Sequence, residues 1–265
     1  MKLNDLLTRK TIIGMVHCLP LPGTRNYSGS MQQIIDRAVA DATILEAAGV
    51  DALIVENTND SPVAIDLDTE QTTTLTVISS NVKNNISIPV GIDAAFCDYK
   101  AGLAIAYAID ADFIRVPVFT DTIVTSAGII FPCAREVIKY RKALEAENIL
   151  LFCDVQVKSS YPLVHNLPLE DSALMAQSNG ADTIIVTGSR TGVSSSTEEL
   201  DRVKQIAKIP VFSGSGLNLD NVTSILEIAD GAIVGSALKK DGLLINPIDK
   251  EKTLQLMEIV KRFDA

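Results

Sequence analysis

Charged side chains stand at the ends of several short apolar segments of this sequence, where ionisable groups are uncommon. Glu56, Arg115 and Asp154 each interrupt or end a run of aliphatic residues. Burial without partners is expensive for an ion, so we expect these three to pair with one another or to bind a ligand. Residues at comparable segment ends complete the candidate catalytic set, which is His17, Glu56, Asp93, Arg115, Asp154 and Lys158.

These residue types are suited to acid–base chemistry. Glu56 or Asp154 is predicted to be the base, His17 the acid because imidazole titrates near neutrality, and Arg115 the group that orients the substrate. Lys158 is predicted to be a charge partner for the substrate, with Schiff-base formation as the less favoured alternative. A purely structural ion-pair network is the other interpretation of the cluster.

Three short apolar runs late in the chain each lead into a turn rich in glycine and serine. Glycine lets backbone N–H groups approach a ligand closely, and hydroxyl groups add donors, which suits a phosphate group. The alternative is that the glycines only permit tight turns. The predicted phosphate-binding residues are Thr187, Gly188, Ser189, Gly214, Ser215, Gly216, Gly235 and Ser236.

Both groups of residues depend on an alternation of short apolar segments with helical segments. Eight such units in 265 residues predict an α/β protein with one domain, residues 1–265, folded as a (β/α)8 TIM barrel. A doubly wound sheet is the competing fold. The first five predicted strands are Thr11–His17, Ala52–Glu56, Val90–Ile92, Phe113–Val116 and Ile149–Asp154, and the last three begin at Thr183, Ile209 and Gly231.

A barrel brings the carboxyl ends of its strands to one mouth, and phosphate commonly binds there in the loops after strands seven and eight. The candidate catalytic residues and the glycine turns are therefore predicted to face the same ligand. Residues 117–131 are predicted to be one long loop, of a length often found in functional lids.

Composition limits the kinds of partner. The net charge of −10 and the pI of about 4.7 disfavour nucleic acid, whose phosphates the chain would repel. No apolar run reaches the ~18 residues that a membrane span needs, and the first ten residues lack the apolar core of a signal peptide. These features predict a cytoplasmic protein without a membrane span.

The cysteines and the carboxylates are the candidate metal ligands of this sequence. Cys18, Cys97, Cys133 and Cys153 contain no C-x-x-C pair, and reduced thiols that fill the core are expected. Neither a metal nor an organic cofactor is predicted. A magnesium ion held by Glu56, Asp93 and Asp154 is the alternative, although nothing in their spacing requires it.

A set of motifs spans nearly the whole chain and includes Gly14–Gly23, Gly49–Asn57, Phe113–Val116, Asp154–Lys158, Thr187–Gly192, Gly214–Gly216 and Ala229–Ser236. Together these motifs resemble the BtpA/SgcQ family. The resemblance implies a TIM barrel akin to the ribulose-phosphate-binding barrels. This sequence departs from the family pattern at Phe96-Cys97 and at Ser126-Ala-Gly128, where polar residues are usual, and either a different substrate or a weakened activity is compatible with these changes.

Two functions of different classes follow from these observations. The first is binding of a phosphorylated small molecule, a sugar phosphate or a nucleotide-like compound, with isomerase- or lyase-type acid–base chemistry. The second, implied by the resemblance, is a non-catalytic assembly factor of the kind needed for photosystem I biogenesis, which an exposed apolar patch would favour. Homo-oligomerisation through the N-terminal segment is compatible with either function.

Overall fold

Eight parallel strands close into a barrel, with helices outside it, in a computed structural model that describes residues 7 and 9–263. The barrel order is β1-β11-β10-β9-β7-β4-β3-β2, which confirms the predicted TIM-barrel fold. The barrel strands are β1 Thr11–His17, β2 Ala52–Glu56, β3 Val90–Asp93, β4 Phe113–Val116, β7 Leu150–Val155, β9 Thr183–Val186, β10 Val211–Ser213 and β11 Gly231–Val234. The helices are α1 Met31–Ala48, α2 Thr69–Asn85, α3 Tyr99–Ala108, α4 Ala134–Ala143, α5 Leu169–Ser178, α6 Thr197–Ile206, α7 Val222–Ile228 and α8 Lys250–Val260.

Alternate residues of the strands fill the inside of the barrel. The largest members of this interior cluster are Phe113, Phe152 and Phe212, and the ring centroids of the first two lie 4.6 Å apart. Gly91 is required beside them, because a Cβ atom there would lie 2.3 Å from the Phe113 ring. The interior therefore forms a packed floor on which the mouth is built.

The same alternation carries the predicted catalytic residues inward at the mouth. Ile54 belongs to the interior cluster, and Glu56 lies two residues further along the same strand. Strand register then sets these positions at one level, because His17 pairs with Glu56 and Glu56 pairs with Asp93 across neighbouring strands. Phe113 and Phe152 likewise precede Arg115 and Asp154 by two residues, which places both charged groups above the floor.

Residues 117–131 are not one irregular loop, so that part of the sequence interpretation was wrong. They contain strands β5 Ile123–Thr125 and β6 Gly128–Ile130, and β5 also pairs with β8 Tyr161–Pro162 from the loop after β7. Strands of two or three residues give too short a periodic pattern to be recognised, and β8 is distant in sequence. The result is a small antiparallel sheet next to the barrel.

Three further predictions concern the cysteines, membrane-spanning helices and the N-terminal segment. All four cysteines are free and buried, as expected. None of the helices in residues 7 and 9–263 has the length and apolarity that crossing a bilayer demands. The N-terminal segment suggested for oligomerisation lies almost entirely outside the described residues.

Candidate functional site

Arg115 is the centre of a buried charge cluster at the mouth. Its Nε and Nη2 atoms each donate to a different oxygen of Asp154 at 2.8 Å, and its Nη1 donates to Asp93 Oδ2 at 3.3 Å. All three side chains are at most 3% exposed. Burial alone would lower the pKa of Arg115, but the charge of Asp154 outweighs it and raises that pKa. The guanidinium is therefore a fixed cation whose orientation two carboxylates determine.

Asp154 was predicted from its position in the sequence to be a possible base, but its side chain is bonded to Arg115. Both of its oxygens accept hydrogen bonds from the guanidinium. It is not among the described residues that line either cavity at the mouth. Of the two predicted bases, Glu56 is the one that has access to a ligand.

His17 and Glu56 form a second pair beside this cluster. His17 Nε2 lies 3.3 Å from Glu56 Oε2. Burial lowers the pKa of His17 in spite of this neighbour, so the imidazole is neutral near pH 7. Burial opposes ionisation of Glu56, but the hydrogen bond from His17 and the nearby cations bring its pKa to about 2. The pair is thus an ionised carboxylate next to a neutral imidazole.

The pKa of Asp93 is shifted in the opposite direction from that of Glu56. Burial first, and then the negative charge of Glu56, raise its pKa to about 8 against the opposing effect of Arg115. The geometry agrees, because Arg115 contacts one oxygen at the longer distance of 3.3 Å and Asp93 Oδ1 is buried without a partner among the described residues. Asp93 therefore holds a proton near neutrality. An ionised carboxylate and a protonated one side by side are the arrangement that proton transfer requires.

Lys158 is the second basic residue near the carboxylates at the mouth. Burial and then the positive charge of Arg115 lower the pKa of its ammonium group. Its Nζ lies 3.5 Å from the carbonyl oxygen of Gly214, at the outer limit of a hydrogen bond, so most of its donor capacity is free for a ligand. The side chain links the acidic wall to the first of the glycine turns.

The glycine turns after β10 and β11 border a cavity of about 40 Å³. The amide of Gly214 donates to the carbonyl oxygen of Val186 at 2.8 Å. In the part of the chain that the structure describes, none of the backbone hydrogen bonds recorded outside helices and strands is donated by the amides of Ser215, Gly216, Gly235 or Ser236. The turn Ser236–Leu238 is a single 3-10 turn, whose first amides have no partner inside it. The turn residues that line this cavity are Gly214, Ser215, Gly216, Gly235 and Ser236.

Gly235 also accommodates His17. A Cβ atom at this position would lie 2.8 Å from His17 Cε1, so only glycine allows the imidazole to pack against the turn. The predicted acid–base residue and the predicted phosphate turn are therefore in direct contact.

A buried ion pair anchors this turn from behind. Lys239 Nζ donates to Asp41 Oδ2 at 2.8 Å, and both side chains are at most 1% exposed. Asp41 lies on α1 and also accepts from the amide of Ile248. The pair joins the end of the turn to the first helix. No local sequence pattern indicates this ion pair, because Lys239 and Asp41 are far apart in the chain.

The turn after β9 is arranged differently from the other two. Thr187 Oγ1 accepts from the amide of Lys158, and the amide of Gly188 donates to Ser215 Oγ. Ser189 is exposed, and its carbonyl oxygen accepts from the amide of Ser159. Thr187, Gly188 and Ser189 are not among the described residues that line the two cavities.

A larger cavity of about 180 Å³ adjoins the smaller one. The two share five lining residues, and Asp93 lines the larger cavity only. Thr58 and Thr191 were missed as site residues, although Thr58 lies two residues after the end of β2 and Thr191 belongs to the family-like segment Thr187–Gly192. The shared residues are Glu56, Thr58, Arg115, Lys158 and Thr191.

The carboxylates were also considered as ligands of magnesium. Asp154 uses both oxygens on Arg115, and Asp93 uses one. Among the described residues, no group of three or more His, Cys, Asp or Glu side chains is arranged to hold a metal ion. Asp93 and Asp154 are organised around Arg115, and Glu56 contacts His17.

Comparison with known proteins adds a family and supports the fold. The sequence model of the BtpA family matches residues 8–262. An uncharacterised protein of Pyrococcus abyssi is 41% identical over 256 residues, which are 96% of this chain and 97% of that protein. The photosystem I biogenesis protein BtpA of Synechocystis sp. is 36% identical over 254 residues, 95% of this chain and 88% of the relative.

A solved structure shares the fold at low sequence identity. It is the (S)-3-O-geranylgeranylglyceryl phosphate synthase of Thermoplasma acidophilum in complex with its substrate sn-glycerol-1-phosphate. The TM-score is 0.64 at 18% identity, and the match covers 99% of each chain. This likeness concerns the barrel and not the identity of a ligand.

Proposed function

The chain belongs to the BtpA family, and we propose that its barrel mouth binds a phosphorylated small molecule and catalyses proton transfer on it, as an isomerase or a lyase does. The phosphate group would lie in the smaller cavity, on the amides of the turns after β10 and β11. The organic part would extend past Glu56 and Lys158 into the larger cavity. The reacting atoms would then lie where the two cavities meet.

One observation carries this proposal. The wall that the two cavities share contains Glu56, Arg115 and Lys158, and the smaller cavity ends on Gly216 and Ser236. Backbone amides bind an anion without requiring a basic surface, which suits a chain with a net charge of −10. Lys158 adds one positive charge between the phosphate and the reacting centre.

The roles of the acidic residues follow from their ionisation. Glu56 is ionised near neutral pH and would accept a proton from the substrate, with His17 as its hydrogen-bonding neighbour. Asp93 is protonated and would return a proton to the substrate, since its Oδ1 atom is unpartnered. Arg115 would orient Asp93 through the 3.3 Å contact. Asp154 would act by holding Arg115.

The Thermoplasma acidophilum synthase supports this proposal by analogy. Its structure contains sn-glycerol-1-phosphate, a small phosphate ester, in a barrel of the same fold. Barrels of this type commonly bind phosphate after strands seven and eight, which here are β10 and β11.

The proposal is tested by thermal shift with inorganic phosphate and with ribose 5-phosphate against ribose. We expect the phosphate compounds, and not ribose, to raise the Tm of the protein. Ser236→Asp should abolish this shift, because a fixed carboxylate at the cavity repels the anion, and the neutral Ser236→Asn is the matched control for size. A shift by ribose equal to that by ribose 5-phosphate would refute phosphate recognition.

A second function, a non-catalytic assembly factor, is favoured by a different surface. In the sheet of β5, β6 and β8, Val124 pairs with Ile129 on one side and Tyr161 on the other, so all three share one face. Tyr161 is 77% exposed and the nearby Phe131 is 69% exposed. The Synechocystis relative is named for photosystem I biogenesis. A contiguous exposed apolar face suits a protein partner, and a protein that no phosphate compound stabilises would favour this function.

A further inference from the structure

We propose that the ligand of this site is a phosphate ester whose end remote from the phosphate is an apolar group about the size of a ring. This inference rests on the proposed function and specifies its substrate class. It depends on the hydrogen bonding of the larger cavity, which differs between its two ends.

The polar residues at the outer end of the larger cavity bond to one another. Asn57 Nδ2 donates to Asp60 Oδ2 at 2.9 Å, and its Oδ1 accepts from the amide of Ala95 at 2.9 Å. Gln71 Nε2 donates to the same Asp60 oxygen at 2.7 Å, while its Oε1 accepts from the amide of Asp68. The other oxygen of Asp60 accepts from the amide of Leu21. The side chains of Asn57, Asp60 and Gln71 therefore line the cavity with most of their hydrogen-bonding groups already bonded to one another or to backbone amides.

Apart from Asp93 and the exposed Ser159, the other side chains that line only the larger cavity are apolar. Val63, Leu67 and Phe96 line it together with Pro117 and Val157. Phe96 offers a ring face or edge against which a second ring packs favourably. Val63 is 43% exposed, which places it at the rim of the cavity.

Free hydrogen-bonding capacity is concentrated at the other end, where the two cavities meet. Asp93 Oδ1 has no partner among the described residues. Within residues 7 and 9–263, the hydrogen bond recorded for Lys158 Nζ is the 3.5 Å approach to the Gly214 carbonyl oxygen. A ligand therefore meets amide donors first, then charged groups, and finally a surface with little to offer a hydroxyl group.

The change from amide donors to charged groups to apolar side chains along the site determines which chemical group fits the far end of the ligand. A polyol placed against Phe96 and Val63 would lose its hydrogen bonds to water without replacing them, which is unfavourable. An apolar ring there gains the free energy of burial. Burying on the order of 60 Å² of apolar surface corresponds to about a tenfold lower Kd.

The test compares methyl β-D-ribofuranoside 5-phosphate with phenyl β-D-ribofuranoside 5-phosphate, which share the locked β-furanose and differ only in the methyl or phenyl group on O1. Isothermal titration is expected to give a Kd about tenfold lower for the phenyl compound. Val63→Asn should bring the ratio of the two Kd values close to one. Val77→Asn is the matched control, because Val77 lies on α2 with 41% exposure and is not among the described lining residues, and it should keep the ratio.

The outcomes separate this inference from the proposed function. Equal Kd values for the two compounds, or a ratio that Val63→Asn leaves unchanged, would overturn the apolar end while phosphate binding stands. Failure of both compounds to bind would overturn phosphate binding and the inference with it.

Discussion

Replacing Asp93 by asparagine should change how the stability of the protein depends on pH. The pKa of Asp93 is raised from 3.8 to about 8 by burial and by Glu56, so the folded protein binds one more proton than the unfolded chain between these values. This proton stabilises the fold fully below about pH 4, and the contribution is lost as pH rises towards 8. The loss has a limiting slope of about 1.4 kcal/mol per pH unit.

Asparagine does not ionise, and its side-chain oxygen can still accept from Arg115. The free energy of unfolding of Asp93→Asn, minus that of the wild type, should therefore increase with pH, by roughly 3 kcal/mol between pH 5 and pH 7 at most. This difference is measured by urea unfolding followed by circular dichroism, because the chain has no tryptophan whose fluorescence could report on unfolding. Asp36→Asn, at an exposed position, is the control. A constant difference between Asp93→Asn and the wild type across this range would show that Asp93 is ionised in the folded protein.

Two further substitutions test the packing of the mouth. Asp154→Asn removes the negative charge and one of the two acceptor oxygens that hold Arg115, so we expect a loss of about 3–5 kcal/mol in the free energy of unfolding, measured by urea denaturation, and not a loss of turnover alone; unchanged stability would contradict the buried pair. Gly235→Ala brings a Cβ atom to 2.8 Å from His17 Cε1, and about 1–3 kcal/mol of destabilisation is expected, with a changed NMR titration of His17. Gly102→Ala, whose nearest contact would be at 3.9 Å, is the control, and equal effects of the two would disprove the close approach.

Much of the barrel could be predicted from the sequence, because its strands are short β-branched runs with sharp ends. The bounds predicted for β1, β2 and β4 agree with the structure, and Glu56 and Arg115 were expected at the mouth. Closure and the period of two residues along a strand are enough for that inference. Neither depends on the details of packing.

The orientation of individual groups needed the tertiary structure. Asp154 and Glu56 have the same place at the end of a strand, yet Asp154 turns to Arg115 and Glu56 faces the cavities. Gly188 and Gly216 belong to similar turns, but Gly188 packs against the carbonyl oxygens of residues 193 and 194, and its amide is already bonded. These differences come from contacts with residues that are distant in the chain, which no local pattern contains.

The most direct test of the whole account is a crystal structure of the protein with ribose 5-phosphate. We predict that the phosphate group lies on the amides of the turns containing Gly216 and Ser236, with the sugar carbons next to Glu56, Asp93 and Lys158. A phosphate group bound away from these turns, or a sugar turned away from Glu56, would contradict the claim that the glycine turns and the acid–base residues serve one ligand.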